Sequence, residues 1–279
     1  MIPNGLFGRN VYVDIVPPVG LAIRVPDLRV SFKVELKSSK TVNKASIRIY
    51  NPSPATIALL HIPKTSLRLM VGYGTFPRLL FIGTPIKDGI DLKVEGPDRI
   101  LDIDAADGGA GYVGTFLNVS FSTPTTFGQV LATVLAATQW SQGFVDPAIS
   151  AVVLPYGIVL VGRPSEVLDR LAAASLPVGA DWYVRDGAVY VVPKGTATPE
   201  VAPLISSTQG NLIGSPNYTK KGIKVKALID ATMRPGRLFI VESAGWGGPF
   251  IAKDVTFNGD SGWDNQFYME ITAKPAGVP

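Results

Sequence analysis

The sequence predicts a mainly β protein with minor α (α+β), in which two β segments flank a middle segment of helices and one β-hairpin. Three observations predict this. Short runs in the first and last thirds alternate apolar and polar residues, the period of a half-buried strand. In the middle third, apolar residues recur at helical spacing in two stretches. The 29 glycines and 23 prolines of the 279 residues are scattered between these runs, as turns between many short strands require.

Residues 1–108 read as the first β domain. LRVSFKVEL (28–36) and KASIRIYN (44–51) alternate cleanly, and NPSPATIALL (51–60) reads as one helical turn. SLRLMVGYG (66–74) and RLLFIGTPIKDGIDLKVEG (78–96) continue the strands, with Asp88-Gly89 as a hairpin turn inside the second. RILDIDAADG (99–108) closes the set. Five or six strands punctuated in this way suggest a small barrel or sandwich.

Residues 109–199 read as a helix and hairpin domain. STPTTFGQVLATVLAATQ (122–139) places Phe127, Val130, Leu131, Val134 and Leu135 on one helical face. Thr123 is the expected N-cap and Pro124 the first helical residue. RPSEVLDRLAAASL (163–176) repeats the device with Pro164, Val167, Leu168 and Leu171, and Trp140 is expected in the core. DWYVRDGAVYVVP (181–193) is a hairpin signal, because Asp186-Gly187 suits the positive φ angles of a type I′ turn. Its register sets Trp182 and Val184 opposite Val191 and Val189, with Tyr183 opposite Tyr190.

Residues 200–279 return to strands as a second β domain. YTKKGIKVKALI (218–229) sets Ile223, Val225, Ala227 and Ile229 on one face and Lys224 and Lys226 on the other. With Lys220 and Lys221, these lysines are either the wet side of a strand or a contact for phosphates. MRPGRLFIVES (233–243) follows with a turn at Pro235-Gly236, then GPFIAKDVTFNGD (248–260) and NQFYMEITA (265–273). Trp246 and Trp263 sit in glycine-rich turns, either as anchors between chains or folded back over their own domain.

The charge pattern bears on partners. Residues 1–108 hold 14 Lys and Arg against 10 Asp and Glu, residues 109–199 hold 4 against 5, and residues 200–279 hold 8 against 7. No segment has the one-sided excess of a protein that neutralises many phosphates. There is no cysteine, hence no disulfide framework and no thiolate metal site, which suits a reducing cytoplasm. The amino terminus lacks an apolar core of signal-peptide length, and the longest nearly apolar run, AVVLPYGIVLVG (151–162), is too short to span a bilayer.

One histidine and no cysteine leave few catalytic designs. Glu166 and Asp169 lie on the second expected helix, as helical surfaces commonly arrange such residues. NGDSGW (258–263) contains the Gly-Asp-Ser-Gly of chymotrypsin-like proteases, and the order His61, Asp102, Ser261 matches that family's triad order. Against it, His61 sits in LLHIPK, only 18 residues follow Ser261, and Asp102 alternates with apolar neighbours as strand residues do. Gly-Asp-Ser-Gly is also a natural turn. No catalytic, cofactor or metal residue is assigned.

Taken in order, ASIRIYNPSPATIALL, LLFIGTPIKDGIDLKVEGPDRILDIDAADGG, RPSEVLDRLAAASLPVGADWYVRDGAVYVVP, SSTQGNLIGSPNYTKKGIKVKALIDATMRPGRLFIVES and GPFIAKDVTFNGDSGWDNQFYMEITA resemble the baseplate hub proteins of bacteriophage tails and the related late-control proteins. The resemblance implies two tail-tube-like barrels and a homotrimer that joins a sixfold tail tube to a threefold spike. It implies the tail tube protein, the spike, neighbouring baseplate proteins and the tape-measure protein as partners, with DNA only in transit and no membrane anchor. The location it implies is the virion tail baseplate, after synthesis in the bacterial host cytoplasm. Lys220, Lys221, Lys224, Lys226, Trp246 and Trp263 are the candidate interface or lumen residues. A distal tail or connector ring is the alternative assembly. The sequence shows no internal repeat, so the pseudo-sixfold symmetry is the family's implication alone.

Overall fold

The computed structural model describes residues 8–25, 28–38, 42–107, 115–138, 140–174, 179–219, 222–245, 247–262 and 266–277. In the first segment, alternation becomes strands. β3 (Val30–Leu36) and β4 (Lys44–Tyr50) bury every second residue. β5 (Ser66–Tyr73), β6 (Arg78–Glu95) and β7 (Asp98–Ala106) complete the expected set. Two further strands, β1 (Arg9–Val16) and β2 (Ile23–Val25), form a hairpin, with β1 laid against β5. The expected single helical turn is the seven-residue helix α1 (Pro54–Leu60), capped by the Ser53 hydroxyl, which accepts from Thr56 N–H.

Asp88-Gly89 makes no hairpin. β6 runs straight through it and slips register against β7 between Pro85 and Ile90. Asp88 takes φ +59, and a Cβ on Gly89 would lie 2.7 Å from the carbonyl oxygen of Asp104. The dipeptide's tolerance of left-handed backbone serves a bulge that hands β6 over from β5 to β7. The β6–β7 turn is Gly96-Pro97, flanked by the Glu95–Asp98 pair.

The middle segment consists of β8 (Leu117–Phe121), β9 (Thr125–Thr126), α2 (Phe127–Thr138), β10 (Ser141–Val145), α3 (Pro147–Ser150), β11 (Val153–Leu154), β12 (Ile158–Gly162), α4 (Pro164–Ala174), β13 (Ala180–Arg185) and β14 (Ala188–Pro193). α2 does not start at Thr123. Thr125 and Thr126 are held in a ladder with β11, which delays the helix. Its entry is a capping box instead: Gln129 N–H donates to the Thr126 hydroxyl and Thr126 N–H donates to the Gln129 side chain. The β13–β14 hairpin has the expected register, with Asp186 at φ +50 and Gly187 at φ +76. Val130, Leu131 and Val134 of α2, Val167 and Leu171 of α4, and Trp140, Trp182 and Val189 close a separate small core.

The last segment forms β15 (Leu204–Ser206), β16 (Asn217–Thr219), β17 (Gly222–Leu228), β18 (Leu238–Glu242), β19 (Gly247–Asp260) and β20 (Phe267–Pro275). The two β segments share one thirteen-stranded sheet, ordered β16-β17-β20-β19-β3-β4-β7-β6-β5-β1-β2, with β18 attached to β19 and β15 to β18. They also share one core, which includes Ile47, Leu101 and Phe81 from the first and Val225, Phe239 and Phe257 from the second. Among the described residues no helix is long and apolar enough to cross a membrane.

Strand pairing exposes an internal repeat. The hairpin β3–β4 answers to β16–β17, β5 to β18, β6 to β19 and β7 to β20. In each half the last strand returns to pair with the second strand of the hairpin, β7 with β4 and β20 with β17. Each long strand carries its register shift at the matching rung, beside Ala105 in one half and Ala273 in the other. The halves differ between the second and third strands, where the first has α1 and the second an irregular loop. They differ also in β15, which runs parallel to β18, whereas β1 runs antiparallel to β5.

Candidate assembly surface

The outer face of the sheet is a lattice of charges set by strand register. Asp91, Asp102, Arg48, Ser31 and Asp260 stand in one cross-strand row. A second row holds Asp104, Ser46, Lys33, Asn258 and Tyr268, and a third holds Lys44, Glu35, Thr256, Glu270 and Lys226. Asp91 and Asp102 oppose each other, with Lys93 paired to both at 3.3 and 2.8 Å, and elsewhere opposite charges interleave along and between rows. Asp102 accepts from Arg48 at 2.7 Å and from Lys93 at 2.8 Å. Burial pushes the Asp102 carboxyl upward, but these two cations win and hold it below the usual range. Lys33 lies 2.6 Å from Glu35 and lowers the Glu35 carboxyl in the same way. A groove of about 650 Å³ runs over this face past Arg29, Arg48, Asp91 and Asp102.

Of the sequence candidates, Lys224 and Lys226 lie on this wet face of β17, while Ile223, Val225, Ala227 and Ile229 are buried beneath. Lys226 faces Glu270 across the ladder, and its ammonium sits 3.6 Å from the Tyr268 ring centroid. Lys220, Lys221, Trp246 and Trp263 lie outside the described residues. Trp140 is in the middle core, as expected. Glu166 and Asp169 have structural partners: Glu166 accepts from Arg163 N–H at the start of α4, and Asp169 accepts from the Trp182 indole at 3.0 Å.

The protease-like tetrapeptide is the seam between the two halves. β19 pairs with β3 over six positions, from Val255–Leu36 to Asp260–Ser31. Gly259 is required there, because an added Cβ would lie 2.3 Å from the Phe32 ring. The Asp260 carboxylate takes Arg29 through both Nε and a terminal nitrogen, and also accepts from Gly262 N–H. The Ser261 hydroxyl accepts from Val30 N–H at 2.8 Å, and Ser261 N–H donates to the Val30 carbonyl. Asp102 lies three strands away from this seam, roughly 14 Å at ordinary strand spacing. His61 is exposed at the C-cap of α1. The three triad candidates are not brought together. Among the described residues, no group of three His, Cys, Asp or Glu is arranged to hold a metal.

A second joint ties the middle segment to the sheet, and nothing in the sequence pointed to it. The buried Asp107 carboxylate accepts from Asn43 and from Asp186 N–H, at the tip of the β13–β14 hairpin. Asn43 also donates to the Val184 carbonyl. Burial, with the nearby Asp186 carboxylate, pushes Asp107 up to about 6. Arg234 bridges onward, donating to the carbonyls of Leu79, Leu80, Ala231 and Met233 and lying 3.5 Å from Asp186. Arg185, almost fully buried, pairs with Glu200 at 2.7 Å and donates to Thr198. Polar contacts of this kind fix orientation between packed units, since a misaligned joint would leave buried charges unpaired.

Comparison with known proteins agrees with this architecture. No family model matches the chain, and no curated protein matches it. Among solved structures, a tail protein from Neisseria meningitidis superposes with a TM-score of 0.67 at 13% identity, over 98% of this chain and 98% of that one. The 43 kDa tail protein of prophage MuSo2 from Shewanella oneidensis superposes with a TM-score of 0.64 at 10% identity, over 96% of this chain and 100% of that one. An Escherichia coli component of the type VI secretion system, described as similar in structure to the T4 phage tail proteins gp27 and gp5, superposes with a TM-score of 0.63 at 13% identity. That match covers 95% of this chain and 77% of the other. The chain has the mainly β fold of phage tail proteins.

Proposed function

We propose that this chain is a structural protein of a phage-tail baseplate: a trimeric hub that joins a sixfold tail tube to a threefold spike and forms part of the conduit for genome delivery. The observation that carries the proposal is the internal repeat. Each copy holds two equivalent β halves side by side in one sheet, so three copies would present six equivalent units to a sixfold tube and still offer threefold symmetry to a spike. The fold likeness to tail proteins over nearly the whole chain supports the setting. Its partners in this reading are the tube protein, the spike, adjacent baseplate proteins and the tape-measure protein.

The role is assembly rather than catalysis. The triad candidates serve a strand seam, a capped helix and an ion-pair network. A nucleic-acid grip is disfavoured too, because the cations of the sheet face are interleaved with carboxylates, which leaves little charge to release counterions from phosphates. Such a face lets DNA pass without holding it, or meets a neighbouring protein of similarly mixed charge. Cryo-EM of the tail tip is the test. Three copies ringing the tube end are expected. Six copies would make the chain a distal tail or connector ring, and absence from the particle would overturn the reading.

A further inference from the structure

The three segments of the chain meet at one junction, and the charges there do not balance. Asp107 follows β7 at the end of the first β segment and is buried. Asp186 comes from the tip of the β13–β14 hairpin, and its N–H donates to the Asp107 carboxylate at 3.0 Å. Arg234 comes from the last segment and lies 3.5 Å from the Asp186 carboxylate. Asn43 completes the junction, donating to Asp107 at 3.3 Å and to the Val184 carbonyl at 3.1 Å. With both carboxyls ionised, two negative charges face one guanidinium. That guanidinium cannot follow them, because the carbonyls of Leu79, Leu80, Ala231 and Met233 hold its nitrogens. The neighbouring cation, Arg185, is already neutralised by Glu200.

We propose that this junction is a proton-operated latch: with Asp107 protonated the hairpin tip is clasped to the sheet, and with Asp107 ionised the tip lifts away while the base of the hairpin stays anchored. The charge count sets the direction. A neutral Asp107 leaves one carboxylate for one guanidinium, whereas an ionised Asp107 leaves an excess negative charge where water reaches poorly. Lifting the tip hydrates both carboxylates and parts them, so release is favoured as pH rises. Burial first, and Asp186 second, raise the Asp107 carboxyl to about 6, which places the change between pH 5 and 7.5.

The contacts of the hairpin divide between its two ends. The tip is held to the sheet segments by Asp186 N–H on Asp107, Asn43 on Val184, Arg234 beside Asp186, and Arg185 on the Pro235 carbonyl. At the base, Asp181 takes Lys274 of β20 at 3.2 Å and accepts from Gly195 N–H. The Trp182 indole is fixed to Asp169 of α4. The contacts at the base involve none of the junction's carboxyls, so they persist when Asp107 ionises. Release breaks hydrogen bonds at one end only and changes the angle at which the middle segment stands on the sheet. The latch works within one chain and is independent of copy number.

Amide hydrogen exchange read by mass spectrometry tests the latch, with protection of peptides covering residues 182–190 expressed relative to the intrinsic exchange rate at each pH. With the Asp107 carboxyl at about 6 when clasped and 3.8 when released, tip protection should fall about tenfold from pH 5 to pH 7.5. Peptides of β8, in the same middle segment, should keep theirs. Asp107→Asn should give a flat tip profile. Asp186→Asn removes the second carboxylate and should move the fall toward lower pH, and it decides alone if Asp107→Asn does not fold. A flat wild-type profile overturns the latch, as does an equal fall in Asp107→Asn or an unchanged profile in Asp186→Asn. A fall shared by every peptide of the chain marks global unfolding and overturns it too.

Discussion

Lowering the pH toward 5 stabilises this protein through a single buried carboxyl. Asp107 is 4% exposed and raised from 3.8 to about 6 by burial and by Asp186. A raised carboxyl pKa means that the native state binds a proton more readily than the unfolded chain does. The folded protein therefore gains stability as pH falls from above 6 toward 3.8, the reverse of the usual carboxylate effect. With those two values, the native state gains about 1.4 kcal/mol between pH 7.5 and pH 5, which moves a melting midpoint by roughly 2–3 °C for a chain of this size. Glu35 and Asp102, whose pKa values are lowered, contribute stability that is lost mainly below pH 5, outside this window. The perturbation is Asp107→Asn, whose side-chain oxygen still accepts from Asn43 and Asp186 N–H but does not titrate. Calorimetric melts of both proteins at several pH values give the comparison, and wild type should gain on the variant as pH falls. A wild-type-minus-variant difference that is flat with pH, or that falls toward pH 5, refutes the assignment.

Other outcomes follow from the seam and the sheet face. Ser261→Ala removes the acceptor of Val30 N–H and should lower stability by about 1–3 kcal/mol, read from urea midpoints; a fluorophosphonate probe should label neither protein, and labelling of wild type alone would restore the protease reading. Gly259→Ala drives a methyl into the Phe32 ring and should cost about 1–3 kcal/mol. Phe32→Leu should recover part of that loss in a double-mutant cycle. Replacing Lys224 and Lys226 by Gln should leave DNA retention in gel shifts unchanged at physiological salt, because their face is already balanced by carboxylates; a clear drop in binding would show a phosphate contact.

How much of this was legible in the sequence depends on whether a signal is local. The β13–β14 hairpin was legible to the residue because Asp186-Gly187 needs only its own backbone geometry and flanking alternation. Asp88-Gly89 carries the same two letters, yet it makes a bulge, since β6 continues toward a partner that begins ten residues later at Asp98. Thr123 and Pro124 satisfied every local rule for a helix start, and were overruled when Thr125 and Thr126 paired with β11. A dipeptide specifies a turn's torsions; it does not specify which strand lies alongside.

The internal repeat shows the same limit at a larger scale. Matching positions such as Leu101 and Met269, Ile47 and Val225, or Ala45 and Ile223 share only apolar character. A core accepts any of these residues if total volume is kept, so the repeat survives in pairing and not in letters. The seam is the exception, because its chemistry is specific. Gly259 for close approach, Asp260 for Arg29 and Ser261 for Val30 are each required by one contact, and together they spell a protease motif by coincidence. The β6 edge has no counterpart to these residues: its turn is Gly96-Pro97, with no clasping Asp-Ser pair.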